Sequence, residues 1–212
     1  MPKVVPEYKE EARERIMDAA KQVFAEKGYH EATMDEVAKR LGVSKGALYL
    51  YFSSKEELFE ALCRKAPNAF KDILHSTFND GQNPFGSAAQ FFDRMMQRFG
   101  SSPRLGFEIL SEAVQNPRLR QILKQNQDEY ARVLVGFMEN LHKMRIIDND
   151  VELLPLAYSL IGLWNGLETL VVSGLPVADA RRAWLTAFRV IFLPKGYRGI
   201  TSVPSPSAKK TR

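Results

Sequence analysis

The sequence predicts an all-α fold of about nine helices, with a small three-helix N-terminal head and a larger C-terminal helical body. Apolar residues recur at helical period through almost every segment, and no window sustains the period-2 alternation of a strand. Breaks between segments fall at turn signals: Asp80-Gly81, Ser102-Pro103, Asn116-Pro117, Asp148-Asn149 and Gly174-Leu175-Pro176. Near the N-terminus, short helices carry their own capping residues.

In the first helix Ile16, Ala20, Val23, Phe24 and Lys27 share one face, and Gly28 supplies a left-handed stop. Thr33 caps a short helix, Met34 to Leu41, with Glu36 completing a capping box and Gly42 ending the helix. Ser44 caps a third helix over Lys45 to Tyr51. Ser54 with Glu57 opens a fourth through Leu58, Ala61, Leu62 and Lys65, which Pro67 bends or ends. Longer helices are expected over 68–78, 84–99, 103–115, 117–145, 151–173 and 177–193. The stretch YRGITSVPSPSAKKTR is basic and rich in Pro and Ser, and is expected to be disordered. Three regions follow: a head over 1–60, a body over 61–195 and a basic tail over 196–212.

Composition narrows the function classes. The 212 residues are 45% hydrophobic and 26% charged, ordinary for a globular protein. No apolar run approaches the roughly 20 residues of a membrane span, and the charged start MPKVVPEYKEEARER lacks the apolar core of a secretory signal. Cys63 is the only cysteine, which excludes an intramolecular disulfide and fits a reducing cytoplasm. Packing explains it better than redox sensing. The net charge of +5 belongs to the chain from Lys195 onward, where Lys195, Arg198, Lys209, Lys210 and Arg212 stand without an acid. Residues 1–65 balance 12 basic against 12 acidic side chains, so DNA binding must be argued from local pattern.

That pattern lies in the head. Val37 and Leu41 are one turn apart and point inward, and Ala38 is small where the next helix crosses. Gly42 takes the turn, and Leu48 pins the following helix down. This is the internal logic of a helix-turn-helix, whose second helix enters the major groove by its N-terminal residues. Lys45, Gly46 and Ala47 would stand at the base edges: Lys45 donates to guanine, and the Ala47 methyl meets a thymine methyl. Tyr49, Tyr51 and Lys55 suit phosphate oxygens, and the amides near Met34, behind Thr33, form a second phosphate clamp.

Residues 13–62, RERIMDAAKQVFAEKGYHEATMDEVAKRLGVSKGALYLYFSSKEELFEAL, resemble the DNA-binding head of TetR-family transcriptional regulators. The resemblance rests on AAxxxFxxKGY, Thr33, the VAxxxGVSxGxLYxYF core and SKEELF, about a quarter of the chain. It implies that Thr33, Ser44, Lys45, Gly46, Ala47, Tyr49, Tyr51 and Lys55 contact a double-stranded DNA operator. Ala47 stands where many members carry Thr, so a hydroxyl contact of relatives is missing here. Asp35 stands where some carry a basic residue.

In the body, LLPLAYSLIGLWNGLETLVVSG is apolar nearly all round and must be covered on more than one side. Leu156, Leu160, Leu163, Leu167 and Leu170 recur at heptad spacing, Gly162 and Gly166 permit close approach, and the next helix presents Trp184, Phe188 and Ile191. An intramolecular core accounts for this pattern. A four-helix homodimer interface, which the resemblance implies, is preferred because one helix-turn-helix reads too little DNA alone. Met95, Met96, Phe99, Phe107, Phe137, Trp164, Asn165 and Glu168 are expected around a cavity for a small hydrophobic effector. Glu168, the only charge between Glu152 and Asp179, reaches solvent, pairs with Arg94 or Arg98, or faces that cavity. His30, His75 and His142 lack ligand spacing, and neither a phosphate loop nor a nucleophile elbow occurs, so no metal, cofactor or enzymatic activity is expected. The sequence thus points to a ligand-responsive repressor. The alternative is an architectural or protein-interaction factor of the same fold, without small-molecule input.

Overall fold

The computed structural model describes residues 6–78, 84–99, 103–143 and 150–192, and among them it contains α-helices and no strand. The helices are α1 Pro6–Glu31, α2 Met34–Leu41, α3 Lys45–Tyr49, α4 Lys55–Thr77, α5 Pro84–Phe99, α6 Pro103–Gln115, α7 Pro117–Lys143, α8 Leu153–Val172 and α9 Val177–Phe192. The tail over 196–212 lies outside the described residues.

Local signals at α2 and α3 act as their chemistry requires. Thr33 and Glu36 form the reciprocal capping box, and Gly42 takes the left-handed conformation at φ 69°. Ser44 accepts from the Ala47 amide at 3.2 Å. At α4, Ser54 caps the Glu57 amide, but the Glu57 carboxylate turns to the amide and hydroxyl of Ser53, one residue earlier than a capping box requires. Gly28 interrupts α1 without ending it: at φ 82° and ψ 172° it makes a kink, and helix resumes to Glu31.

Pro67 neither ends α4 nor separates it from a helix over 68–78. One 23-residue helix runs through it. An internal proline costs about 3 kcal/mol. Against that, Leu58, Phe59, Phe70 and Leu74 are buried on both sides of Pro67, each contributing roughly 1.5–3 kcal/mol. Burial wins.

Two apolar clusters result. The first holds the buried faces of α1 to α3 and the start of α4, and it includes Ile109 and Ala113 of α6 with Leu119 and Ile122 of α7. Head and body therefore share packing instead of meeting at a linker. The second joins the far half of α4 to α5, α7, α8 and α9. Thus α4 roots in one cluster and walls the other.

Candidate functional site

The helix-turn-helix presents a short helix held from beneath. Val37 and Ala38 of α2 and Leu48 of α3 are buried together. The turn closes when the Gly42 amide donates to Lys39 O at 3.2 Å and the Val43 amide to Ala38 O at 3.1 Å. With Leu48 inward, Lys45, Gly46 and Tyr49 are exposed, and Ser44 and Thr33 stand exposed at the two helix starts. Ala47 is half-buried.

Lys45 is already engaged. Its ammonium pairs with Asp35 Oδ1 at 2.6 Å and lies 5.9 Å from the Tyr49 ring centroid. The hydrogen bond that the ammonium donates to Asp35 raises the ionisation of Lys45 above its usual range. A base edge would have to take Lys45 from Asp35. Asp35 was noted in the sequence only as a departure from its relatives, and its pairing arises because α2 and α3 start side by side.

Two expected phosphate contacts look different in three dimensions. Lys55 points into the head: it donates to Tyr29 O at 2.8 Å and His30 O at 3.3 Å and lies over the Tyr29 ring at 4.4 Å. It satisfies the carbonyls that end α1, as a cation at a helix C-terminus does. Tyr51 is half-buried against the first cluster, and its carbonyl accepts from Arg13 at 2.7 Å. Conversely, Leu50, the C-cap of α3, is 81% exposed, a large apolar side chain not singled out in the sequence.

The body contains a cavity of about 190 Å³ between α4, α5, α7, α8 and α9. Met95, Phe137, Trp164, Asn165 and Glu168 line it, as expected from the sequence. Met96 packs half-buried beside it without lining it. Phe107 does not belong: it sits on α6, 38% exposed, because α6 turns its buried face to the head. The Phe99 side chain lies outside the described residues. Phe70 and Leu74 of α4, and Phe78 that caps its end, also line the cavity and were not expected there from the sequence.

Aromatic rings make most of the wall. Phe91 stacks on Trp184 at 5.6 Å, Phe78 stacks on Phe188 at 5.8 Å, and Phe70 meets Tyr130 edge-on at 5.2 Å. Trp184 donates its indole N–H to Ala88 O at 2.9 Å, which fixes the ring. Burial raises the ionisation of Glu168 above the usual carboxylate range, and a hydrogen bond from Trp164 opposes it.

Three residues expected at a subunit interface turn inward. Trp184, Phe188 and Leu160 are buried and line the cavity. Leu167 is also buried, and Leu156 and Leu163 are half-buried against the second cluster. The outward side of α8 instead shows Gly162, Gly166, Leu154, Tyr158 and Leu170, with Val190 and Ile191 exposed on α9. Among the described residues, no helix is long and apolar enough to cross a membrane.

The family profile described as "Bacterial regulatory proteins, tetR family" matches residues 16–62, the segment that forms this helix-turn-helix. Residues 16–62 thus carry a TetR-type DNA-binding segment. It is 31% identical over 131 residues to the HTH-type transcriptional regulator YfiR of Bacillus subtilis, covering 60% of this chain and 63% of that protein. It is 36% identical over 104 residues to the transcriptional activator FasR of Mycolicibacterium smegmatis, covering 47% of each. These matches thus span about half to two thirds of the relatives' lengths.

Solved structures of transcriptional regulators extend the likeness in fold to the body. A Saccharomonospora viridis protein in complex with choline superposes with a TM-score of 0.66 at 20% identity, covering 85% of this chain and 96% of that one. FadR of Bacillus subtilis in complex with stearoyl-CoA gives 0.64 at 21%, covering 82% and 95%. At such identities the likeness concerns the fold. The TetR head is written in the sequence, whereas the body keeps its helices and changes its side chains.

Proposed function

We propose that the chain is a ligand-responsive TetR-type repressor that binds a palindromic operator as a homodimer and is released by a small hydrophobic effector. One observation carries the reading. α4 is continuous from the head core at Leu58 and Phe59 to the cavity wall at Phe70 and Leu74. Eleven residues of helix separate Phe59 from Phe70, roughly 16 Å of stiff rod. An effector that wedges the cavity open would move the far half of α4 and tilt the head at its other end.

In this reading residues 1–60 are the DNA-binding unit and 61–195 the effector and dimerisation unit. Lys45 reads bases, while Thr33, Ser44, Tyr49 and the α2 amides hold phosphates. The outward face of α8, with Gly162 and Gly166 allowing close approach, and Ile191 of α9 meet a second copy. Two-fold pairing places two recognition helices about 34–36 Å apart, one turn of DNA. An effector that reverses a 99:1 preference for the DNA-binding state must favour the released state by about 5.5 kcal/mol. The choline and stearoyl-CoA complexes of the two neighbours support a ligand in the body. The regulatory relatives support transcriptional control over enzymatic activity, and a cytoplasmic location belongs to the same reading.

The test is a gel shift on DNA upstream of the chain's own gene, with hydrophobic compounds first selected by thermal shift. Retardation at moderate salt, relieved by a stabilising compound, is expected. A compound that strengthens binding would reverse the sense of control. Stabilising compounds that leave operator affinity unchanged would favour the architectural role.

A further inference from the structure

Glu168 is the only charged residue among those described as lining the cavity. It stands on α8 four residues before the helix ends at Val172, where unpaired carbonyls already make the end negative. No ion pair among the described residues involves it. Arg94, one partner the sequence suggested, donates instead to the Ser76 hydroxyl at 2.9 Å. Glu168 is half-buried and Asn165, one turn earlier, is exposed, so this polar pair marks the rim of an otherwise apolar chamber.

A carboxylate here costs free energy unless something completes it. Water and the hydrogen bond from Trp164 do so only in part, as the upward shift of its ionisation on burial shows. The surrounding walls are aromatic, with Phe91, Tyr130 and Trp164 presenting rings whose faces attract cations. An anionic amphiphile would meet like charge, and a neutral one would leave the carboxylate uncompensated. Size adds a limit. A cavity of roughly 150 Å³ holds one benzene ring, so about 190 Å³ accepts a ring with a short chain.

We propose that the cavity takes a small lipophilic monocation of the arylalkylammonium type. Its ring lies among the aromatic side chains, and its ammonium is held by the Glu168 carboxylate beside Asn165. The assignment rests on the reading that this cavity is the effector site, and it names the charge and size of the effector.

The experiment compares three near-isosteric probes, 2-phenylethylammonium, 2-phenylethanol and phenylacetate, by calorimetric titration of the full-length protein and of Glu168→Gln. The cation is expected to bind at least about tenfold more tightly than the alcohol, as a charge-assisted hydrogen bond would give, with phenylacetate weakest. Glu168→Gln should remove the cation's advantage and leave the alcohol's affinity unchanged. The inference is overturned if the alcohol binds as well as the cation, if Glu168→Gln leaves the cation's affinity intact, or if none of the three binds. The first outcome keeps the cavity as a ligand site and removes only the cation. A cation that binds through Glu168 but does not change operator affinity in the gel shift would uphold this inference and sink the effector reading.

Discussion

Replacing Gly28 by alanine tests how the body grips the head. Gly28 sits at φ 82° and ψ 172°, conformational space that only glycine occupies without strain. Forcing a side chain there costs about 1–3 kcal/mol. A Cβ would also lie 2.6 Å from the carboxyl carbon of Glu108 on α6 and closer still to its Oε2. Glu108 is flexible enough to swing aside, but its Oε2 accepts the Tyr29 amide at 2.9 Å. Moving it gives up a hydrogen bond to a charged group, about 1.5–3 kcal/mol. Gly28→Ala should therefore destabilise the full chain by about 3–5 kcal/mol in urea denaturation at fixed protomer concentration. Glu108→Ala alone should cost about 1–3 kcal/mol. Because that bond is lost only once, the double variant should fall short of the sum by roughly 1.5–3 kcal/mol. A cost below about 1 kcal/mol for Gly28→Ala would refute both the strain and the clash, and strict additivity in the double variant would refute the clash alone.

Other variants and side chains give further expected outcomes. Lys45→Ala should weaken binding to the preferred operator roughly tenfold to a hundredfold and flatten its preference over altered half-sites in anisotropy titrations. Asp35→Asn, which frees Lys45, should instead raise affinity for unrelated DNA and steepen the salt dependence; unchanged salt dependence would dismiss the Asp35–Lys45 pair as a control on binding. Burial, followed by the Glu60 charge, pushes the Cys63 thiol up to about 12. Its alkylation at pH 8 should then be about a thousandfold slower in the native protein than in urea. Since folding raises this ionisation, the unfolded chain loses its proton first as pH climbs above about 8.5, and Cys63 should lower stability from there to about pH 12. Cys63→Ala should remove that part of the alkaline loss, as melting temperatures across this range would report.

Much of the head was legible because its determinants act within four residues. Thr33 reaches Glu36, Ser44 reaches Ala47, and Gly42 needs only its own backbone to turn left-handed. The spacing of Val37, Ala38 and Leu48 then leaves one way to stack α3 on α2, and Lys45, Gly46 and Tyr49 are exposed as a consequence. Most of the body's helix limits were legible for a similar reason: Asn116-Pro117 and Gly174-Leu175-Pro176 stop helices wherever they stand.

What the sequence left open were the choices among faces. α8 is apolar nearly all round, so periodicity cannot say which side takes the core; only the neighbouring α7 and α9 turned Leu160 and Trp164 to the cavity and Gly162 outward. Trp184 and Phe188 went the same way, inward to stack on Phe91 and Phe78. The hand of Glu108 on Tyr29 joins residues 79 apart, and Lys55 finds the carbonyls of Tyr29 and His30 only after α4 has docked on α1. Pro67 is a helix breaker by local rule and a helix residue here, because burial along the whole of α4 exceeds the one backbone bond that proline removes. By itself the sequence determined the caps, the turns and the helix-turn-helix, whose energies are local. Tertiary structure decided which apolar face lines a cavity and which charges pair, because those depend on helices that are distant in the chain.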